Sequence, residues 1–207
     1  MPKEKHQTPI SAKLTNTPPK KPKNKDRRQR EYLTNNEIDR LRKAARITGR
    51  HGIRDDALIL MMFRHGLRVS EVITLNWDQV DLQKGWLHVT RLKNGTSSTH
   101  PIRGIELRIL RRVQREYNQH SPYIFISERK APLTDRSVRH IIARAGKKAN
   151  FNFSIHPHML RHSTGFYLAN KGTDTRAIQG YLGHANIKNT VIYTELAPNR
   201  FKDFWHD

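Results

Sequence analysis

The chain has 207 residues, enough for one domain of ordinary size and a short appendage. Its 39 lysines and arginines outnumber its 18 aspartates and glutamates, which gives a formal net charge of +21. That charge indicates a polyanionic partner, either nucleic acid or an anionic membrane surface. The absence of cysteine excludes disulfides, cysteine-ligated zinc and thiol catalysis. No apolar run reaches the roughly 18 residues of a membrane helix and no signal peptide is recognisable, so we expect a cytoplasmic protein that does not enter the membrane.

Residues 1–30 are predicted to form a disordered basic arm. The first 31 residues contain ten lysines and arginines, three acidic residues and five prolines. Such a composition buries too little apolar surface to offset the entropy lost when the chain is ordered. The arm would either follow DNA or serve as a solvated linker. The remaining chain keeps a net charge of +14, so we expect the folded body itself to face phosphates.

Most of the chain after the arm has helical patterning. Thr34-Asn35-Asn36-Glu37 has the sequence of a capping box and predicts the start of a helix. Gly66 is a stop signal for the helix that precedes it. Further helices are predicted over about Arg54–His65, Val69–Leu75, 104–119, 134–149, 158–171, 174–182 and 187–194, with a last amphipathic segment over Arg200–Trp205.

Three short segments have the composition of strands. Trp86–Val89 and Thr99–Ile102 flank Asn94-Gly95, a turn signal that predicts a hairpin. Pro122–Ser127 is a third β-rich run. Together with the helices, these strands predict a mainly α fold with a small antiparallel β-sheet, in the α+β class.

Arg68 and Glu71 stand just after the predicted helix stop, where a new helix begins. An arginine at such a place can direct its guanidinium at a phosphate oxygen. Glu71 follows by three residues and can orient it from the same helical face. An ordinary ion pair on the surface is the alternative interpretation.

Lys93 stands at the tip of the predicted hairpin. It is either a general acid that reaches a bound DNA backbone or a solvated lysine.

Two histidine-containing motifs follow. His158 and Arg161 lie on one face of a predicted helix, where both can donate to phosphate oxygens. His158 and His162 also have the i, i+4 spacing of some zinc ligands, although no glutamate follows the first histidine, and a purely structural cluster is a third possibility. His184 follows Gly183 at a predicted helix end, nine residues before Tyr193. Tyr193 is either a nucleophile activated by nearby cations or a core tyrosine with a bonded hydroxyl.

The order and context of these residues resemble the tyrosine recombinase (phage integrase) family, and within it the bacterial fimbrial phase-variation recombinases. The resemblance covers about residues 30–205. Its motifs are Gly66-Leu67-Arg68-Val69-Ser70-Glu71, the hairpin from Arg91 to Pro101, His158-Met159-Leu160-Arg161-His162, Leu182-Gly183-His184 and the segment around Tyr193. The resemblance implies that residues 31–207 are a tyrosine recombinase catalytic domain, without the separate core-binding domain of typical members.

The resemblance also implies a role for each residue. Tyr193 would be the nucleophile that forms a 3′-phosphotyrosyl link, and Lys93 the general acid for the leaving 5′ oxygen. Glu71 would support the site. Neither metal nor cofactor would be needed, since the positive side chains carry the charge. The residues that would stabilise the transition state are Arg68, Arg161, His158 and His184.

The resemblance further implies a function: inversion of a promoter-bearing DNA segment between short inverted repeats. The implied partners are double-stranded DNA with those repeats, a homotetramer when two sites are joined, and DNA-bending accessory proteins. The free protein would be a monomer, located at the bacterial nucleoid. Three alternatives remain open: an integrase or excision recombinase of a mobile element, a type IB topoisomerase, and a catalytically silent DNA-binding regulator.

Overall fold

The structure of the protein, a computed structural model, describes residues 30–92, 95–117, 121–195 and 197. In this part of the chain the fold is mainly helical with one small antiparallel sheet, as the sequence predicts. The elements in chain order are α1 (Asn35–Ile47), α2 (Gly52–His65), α3 (Val69–Ile73), β1 (Val80–Asp81), β2 (Trp86–Val89), β3 (Ser98–Pro101), α4 (Gly104–Tyr117), α5 (Asp135–Lys148), α6 (Pro157–Asn170), α7 (Thr175–Leu182) and α8 (Lys188–Glu195).

Helix α1 begins where the capping box predicts. The backbone N–H of Thr34 donates to the Glu37 carboxylate at 2.8 Å, and the Glu37 N–H donates to the Thr34 hydroxyl at 3.4 Å. These two bonds satisfy backbone donors that have no partner within the helix. Buried Ile38 and Leu41 then face the core.

Helix α2 is the central element of the core. The run Ala57–Met62 is almost completely buried, and the helix packs against α1, α4 and α6. A helix that is apolar on nearly all sides can only be stable when other elements surround it. It ends at Gly66, whose φ of 58° is left-handed, as the sequence predicts. This sharp end places Arg68 at the start of α3, beside the centre of the fold.

The sheet has the order β1-β2-β3, with both pairs antiparallel. In β2, Leu87 and Val89 are buried while Trp86 and His88 are exposed, so one face covers the core and the other faces solvent. Leu87 pairs with His100 of β3. The returning strand is therefore Ser98–Pro101, close to the predicted Thr99–Ile102.

The prediction of a strand over Pro122–Ser127 is wrong. Ile124 and Phe125 are fully buried, but the segment forms only isolated bridges. The Ile124 N–H bonds to Leu75, whereas the Phe125 carbonyl accepts from Leu133. Its backbone groups thus bond to two unrelated segments, which satisfies them without a ladder. The third strand is instead the short β1.

The other helices begin and end within a few residues of their predicted bounds. Asn94, the first residue of the predicted turn, and the segment Arg200–Trp205 lie outside the described residues. The same is true of residues 1–29 of the arm predicted over residues 1–30. Within the described ranges no helix is long and apolar enough to cross a membrane.

Candidate active site

Six of the seven predicted site residues lie in the described part of the chain, on four separate elements. Arg68 is the residue just before α3, Glu71 lies within α3, and Tyr193 lies on α8. Lys93 lies outside the described residues. His158 and Arg161 lie on α6, and His184 follows Gly183 at the end of α7.

The carboxylate of Glu71 is the centre of the site. Its Oε1 lies 2.7 Å from Arg68 Nη1, and its Oε2 accepts the Arg68 backbone N–H at 2.8 Å. The same Oε2 lies 2.9 Å from Arg91 Nη1 and 3.9 Å from Arg161 Nη1. Burial by itself would raise the pKa of Glu71, but the bonds from Arg68 and the charges of Arg91 and Arg161 outweigh it and lower the pKa. Arg68 and Glu71 are therefore not the surface ion pair that the sequence left open.

Arg91 is a site residue that the sequence reasoning missed. Its side chain is fully buried, and its guanidinium donates to Glu71 and to the backbone carbonyls of His65 and Tyr181. It thus connects the hairpin with the end of α2, with α3 and with the end of α7. The only sequence signal was its place in the hairpin motif, two residues before Lys93, and nothing local showed where its side chain points.

Arg161 is buried close to this carboxylate. Its Nη2 donates to the Leu182 carbonyl at 2.6 Å, and its Nη1 donates to the Gly66 carbonyl. Burial lowers its pKa to about 9, and the charges of Arg68 and Arg91 contribute, so the group stays charged at neutral pH. Three guanidinium groups therefore share one carboxylate. The excess positive charge makes the site suited to an anion such as a phosphate.

His184 emerges from the C-terminal end of α7. Gly183, with φ of 64°, ends the helix there, as predicted. The His184 Nδ1 lies 2.8 Å from the Thr190 hydroxyl. If that hydroxyl donates, the ring proton is on Nε2 and can be donated to a phosphate oxygen. Burial, with the charges of Arg161 and Arg68, lowers the pKa of His184 to about 3, so the ring is neutral.

Tyr193 has features of both a buried core tyrosine and a nucleophile near cations. It is 2% exposed and packs edge-on against Phe166. Its ring lies over Gly165, where an added Cβ would come within 2.5 Å. Its hydroxyl is 2.9 Å from Nδ1 of His162, and the His184 ring is stacked 6.3 Å away. Burial raises the pKa of Tyr193 to about 12, against the lowering effect of Arg161 and Arg68. Tyr193 is thus packed like a core residue, with its hydroxyl bonded to His162 and subject to the charges of Arg161 and Arg68.

His158 lies at the open side of the site. Its ring is exposed and contacts the His162 ring edge-on, with centroids 4.4 Å apart. Desolvation and the charges of His162 and Arg161 lower the pKa of His158 to about 4 in the free protein. A bound phosphate would oppose this shift, because a negative charge favours the imidazolium. Among the described residues, no three histidine, aspartate or glutamate side chains are grouped to hold a metal ion.

Phosphoryl transfer to a tyrosine requires a hydroxyl with positive and hydrogen-bonding side chains around it, and this mainly helical domain has those groups in one region. The sequence profile of the Phage integrase family matches residues 31–200, and the chain belongs to that family.

Two curated relatives from Escherichia coli strain K12 are type 1 fimbriae regulatory proteins. FimB is 44% identical over 188 residues, which are 88% of this chain and 94% of FimB. FimE is 41% identical over 182 residues, or 86% of this chain and 91% of FimE. The crystal structure of XerA recombinase matches with a TM-score of 0.71 and 28% identity over 84% of this chain, which spans 63% of that longer chain. The protein is accordingly a tyrosine-type site-specific recombinase that acts on DNA.

Proposed function

We propose that this recombinase inverts a promoter-bearing DNA segment between short inverted repeats, through a 3′-phosphotyrosyl intermediate on Tyr193. The observation that carries the proposal is the electrostatic effect of Arg161 and Arg68 on the Tyr193 hydroxyl, whose pKa both charges lower, while the two arginines are held by the same Glu71 carboxylate. The likeness to FimB and FimE, both named as regulators of type 1 fimbriae, supports inversion as a regulatory switch.

In the proposed reaction, the Tyr193 oxygen attacks phosphorus in line with the 5′ oxygen, which leaves with a proton from Lys93. Arg68 is the arginine best placed to bind a non-bridging oxygen. Its side chain is 26% exposed, whereas Glu71 and Arg161 are buried below it. Arg161 stabilises the developing negative charge from beneath. His158 and His184 donate to the remaining oxygens.

Glu71 has a positioning role in this scheme. Its two oxygens hold Arg68 and Arg91, so that the partly exposed guanidinium of Arg68 is oriented before DNA binds. Preorganised donors stabilise a transition state without further reorganisation. The cationic side chains would perform the role that magnesium has in many phosphoryl transfer enzymes, so we propose that no metal or cofactor is required. Cleavage in EDTA at the rate measured with magnesium is the expected result.

The proposed partners follow from this activity. The DNA carries inverted repeats, a homotetramer forms when two sites are brought together, and the free protein is a monomer. DNA-bending proteins assist the synapsis, and the location is the cytoplasm, at the bacterial nucleoid. Residues 1–30 are proposed to follow the DNA backbone as a basic arm, and residues 31–207 form the catalytic domain.

The central test uses duplexes selected for binding from a random-sequence library and then nicked beside the cleavage position. The nick lets a short fragment diffuse away, so that the covalent intermediate accumulates. Wild-type protein should form an adduct that Tyr193→Phe cannot form, and mass spectrometry should place the DNA on Tyr193. A wild-type protein that binds these duplexes and never forms an adduct would instead be a silent regulator.

A plasmid assay separates the remaining functions. Two selected sites in opposite orientation flank a marker, and the same sites are placed in direct orientation in a second plasmid. Inversion of the first plasmid without deletion from the second supports the proposal. Preferential deletion identifies an excision recombinase, and relaxation of supercoils without exchange identifies a topoisomerase.

A further inference from the structure

We propose that His162 is a further catalytic residue: its Nδ1 is the general base that takes the phenolic proton of Tyr193 during attack. This inference rests on the proposed role of Tyr193 as nucleophile. From its spacing in the sequence, His162 is predicted to be either a zinc ligand or a structural histidine.

The geometry places one ring nitrogen at the reacting atom, and this nitrogen accepts the phenolic O–H in the tautomer that carries the ring proton on Nε2. Nδ1 of His162 lies 2.9 Å from the Tyr193 oxygen, within the range for a general base. The tyrosine cannot easily turn away, because Gly165 lies under its ring and Phe166 contacts it edge-on. The His184 ring stacks at 6.3 Å on another side. The direction of the hydroxyl is therefore fixed towards α6 in the free protein.

The other two histidines near Tyr193 are less suited to take this proton. Nδ1 of His184 is already bonded to Thr190 at 2.8 Å. His158 contacts the ring of His162 edge-on and is exposed to solvent, where it can meet a phosphate. Among the described residues, His162 alone is hydrogen-bonded to the Tyr193 hydroxyl.

The surroundings of His162 keep its ring uncharged. Burial lowers the pKa of His162 to about 4, with contributions from the charges of His156 and Arg161. A neutral imidazole has a lone pair on one nitrogen and can accept a proton there. The titratable or charged groups that face His162 come from its own helix α6, from α8 and from the ends of neighbouring elements, and are His156, His158, Arg161, Tyr193 and His184.

The proton and bond changes balance with the groups present. The Tyr193 oxygen forms a bond to phosphorus while its proton passes to Nδ1 of His162. The bond from phosphorus to the 5′ oxygen breaks, and that oxygen receives a proton from Lys93. Religation reverses each change, so His162 returns its proton to the departing phenolate. No oxidant, reductant or further reactant is consumed.

The transfer must accompany attack rather than precede it. Burial raises the pKa of Tyr193 to about 12 and lowers that of His162 to about 4, so separate ionisation of the phenol is unfavourable. The negative charge of a bound phosphodiester raises the basicity of a nearby imidazole. The phenol also becomes more acidic as its oxygen bonds to phosphorus. The base is thus needed only in the transition state, where general-base catalysis contributes.

The test compares His162→Asn and His162→Ala with wild-type protein on the nicked duplex. Asparagine keeps a polar group near the position of Nδ1 but cannot accept a proton at neutral pH. Both variants should form adducts about 10²–10⁴-fold more slowly, as expected when a general base is lost. Their rates should rise about tenfold per pH unit with the phenolate fraction, up to the pKa of Tyr193. His88→Asn, which changes an exposed histidine bonded to Thr99, is the matched control and should keep the wild-type rate.

Wild-type protein provides a second measurement that does not depend on the folding of a variant. A substrate with sulfur in place of the 5′ bridging oxygen needs no general acid, since a thiolate leaves unprotonated. Slower cleavage of this substrate in D₂O than in H₂O then reports the proton that moves from Tyr193. Absence of this isotope effect would overturn the proposal.

Two further results would also overturn it. One is cleavage by His162→Asn at the wild-type rate, which would mean that the hydrogen bond to His162 only positions Tyr193. The other is slow cleavage whose pH profile stays parallel to wild type. An adduct formed by Tyr193→Phe would be a different failure, because it would remove the proposed nucleophile itself.

Discussion

Arg91 Nη1 and Glu71 Oε2 form an ion pair 2.9 Å long, in which the two side chains are 0% and 1% exposed to solvent. A buried pair of this kind is costly to break, because removal of one partner leaves the other charge buried and uncompensated. The pair joins the hairpin to the helix that carries Arg68. It therefore links the folding stability of the domain to the geometry of its active site.

Arg91→Met should lower the free energy of unfolding by about 3–5 kcal/mol. The matched control is Arg139→Met, which breaks an exposed ion pair with Asp135 on α5 and should cost less than about 1 kcal/mol. Urea unfolding of both variants measures the difference. Equal losses would show that burial of the Arg91–Glu71 pair has no special effect. Arg91→Lys should restore only part of the loss, since an ammonium cannot reach Glu71 and two carbonyls with the same fork.

Glu71→Gln should change the dependence of stability on pH. Because the pKa of Glu71 is lowered in the folded state, its carboxylate stabilises the protein fully above the unfolded value of about 4.3. This contribution is lost as pH falls below that value and through the folded pKa. The stability difference between wild type and Glu71→Gln should therefore shrink from pH 7 to pH 3. A constant difference across that range would contradict the assignment.

Gly165→Ala should impair DNA cleavage by displacing Tyr193. The new methyl group would lie 2.5 Å from the tyrosine ring, so the ring must move, at a cost of about 1–3 kcal/mol of stability. Gly180→Ala is the control on another helix, where nothing lies within 4 Å of the added atom. That change should stabilise α7 by about 0.5–1 kcal/mol and leave cleavage intact. Adduct formation and thermal unfolding of the two variants distinguish the effects.

A comparison of Gly183→Ala with Gly172→Ala distinguishes the effect of backbone strain from the effect of a clash between the new methyl group and Arg91. Both glycines have a left-handed φ, of 64° and 76°, so alanine is strained at either position. Only at Gly183 would the methyl group also meet Arg91, 2.6 Å from its Cγ. Gly183→Ala should therefore be the more destabilising of the two, and it alone should slow cleavage. Comparable effects on unfolding and adduct formation would exclude the Arg91 contact as the cause.

Deletion of residues 1–30 should weaken DNA binding and make it less sensitive to salt. Each phosphate contact by a lysine or arginine releases a counterion, so the logarithm of the binding constant falls more steeply with salt when contacts are more numerous. A shortened protein with a shallower slope and an unchanged unfolding curve is the expected result. Binding that is unchanged in both strength and slope would assign the arm no role on DNA.

The sequence by itself determined the local structure around the site. Thr34 and Glu37 mark the start of a helix, and Gly66 and Gly183 mark helix ends, because capping bonds and left-handed turns depend on a few neighbouring residues. The order of Arg68, Arg161 and Tyr193 along the chain likewise indicated the class of chemistry before any contact between them was known.

Only the tertiary structure decided which side chains meet. Arg91 binds Glu71 across 20 positions, and His162 meets Tyr193 across 31, so no local pattern could show either contact. Tertiary packing also explains why Pro122–Ser127 is not a strand: its buried backbone groups form hydrogen bonds with two separate segments. Propensity and periodicity act over a few residues, whereas burial, charge compensation and the surroundings of the Tyr193 hydroxyl are set by elements distant in the chain.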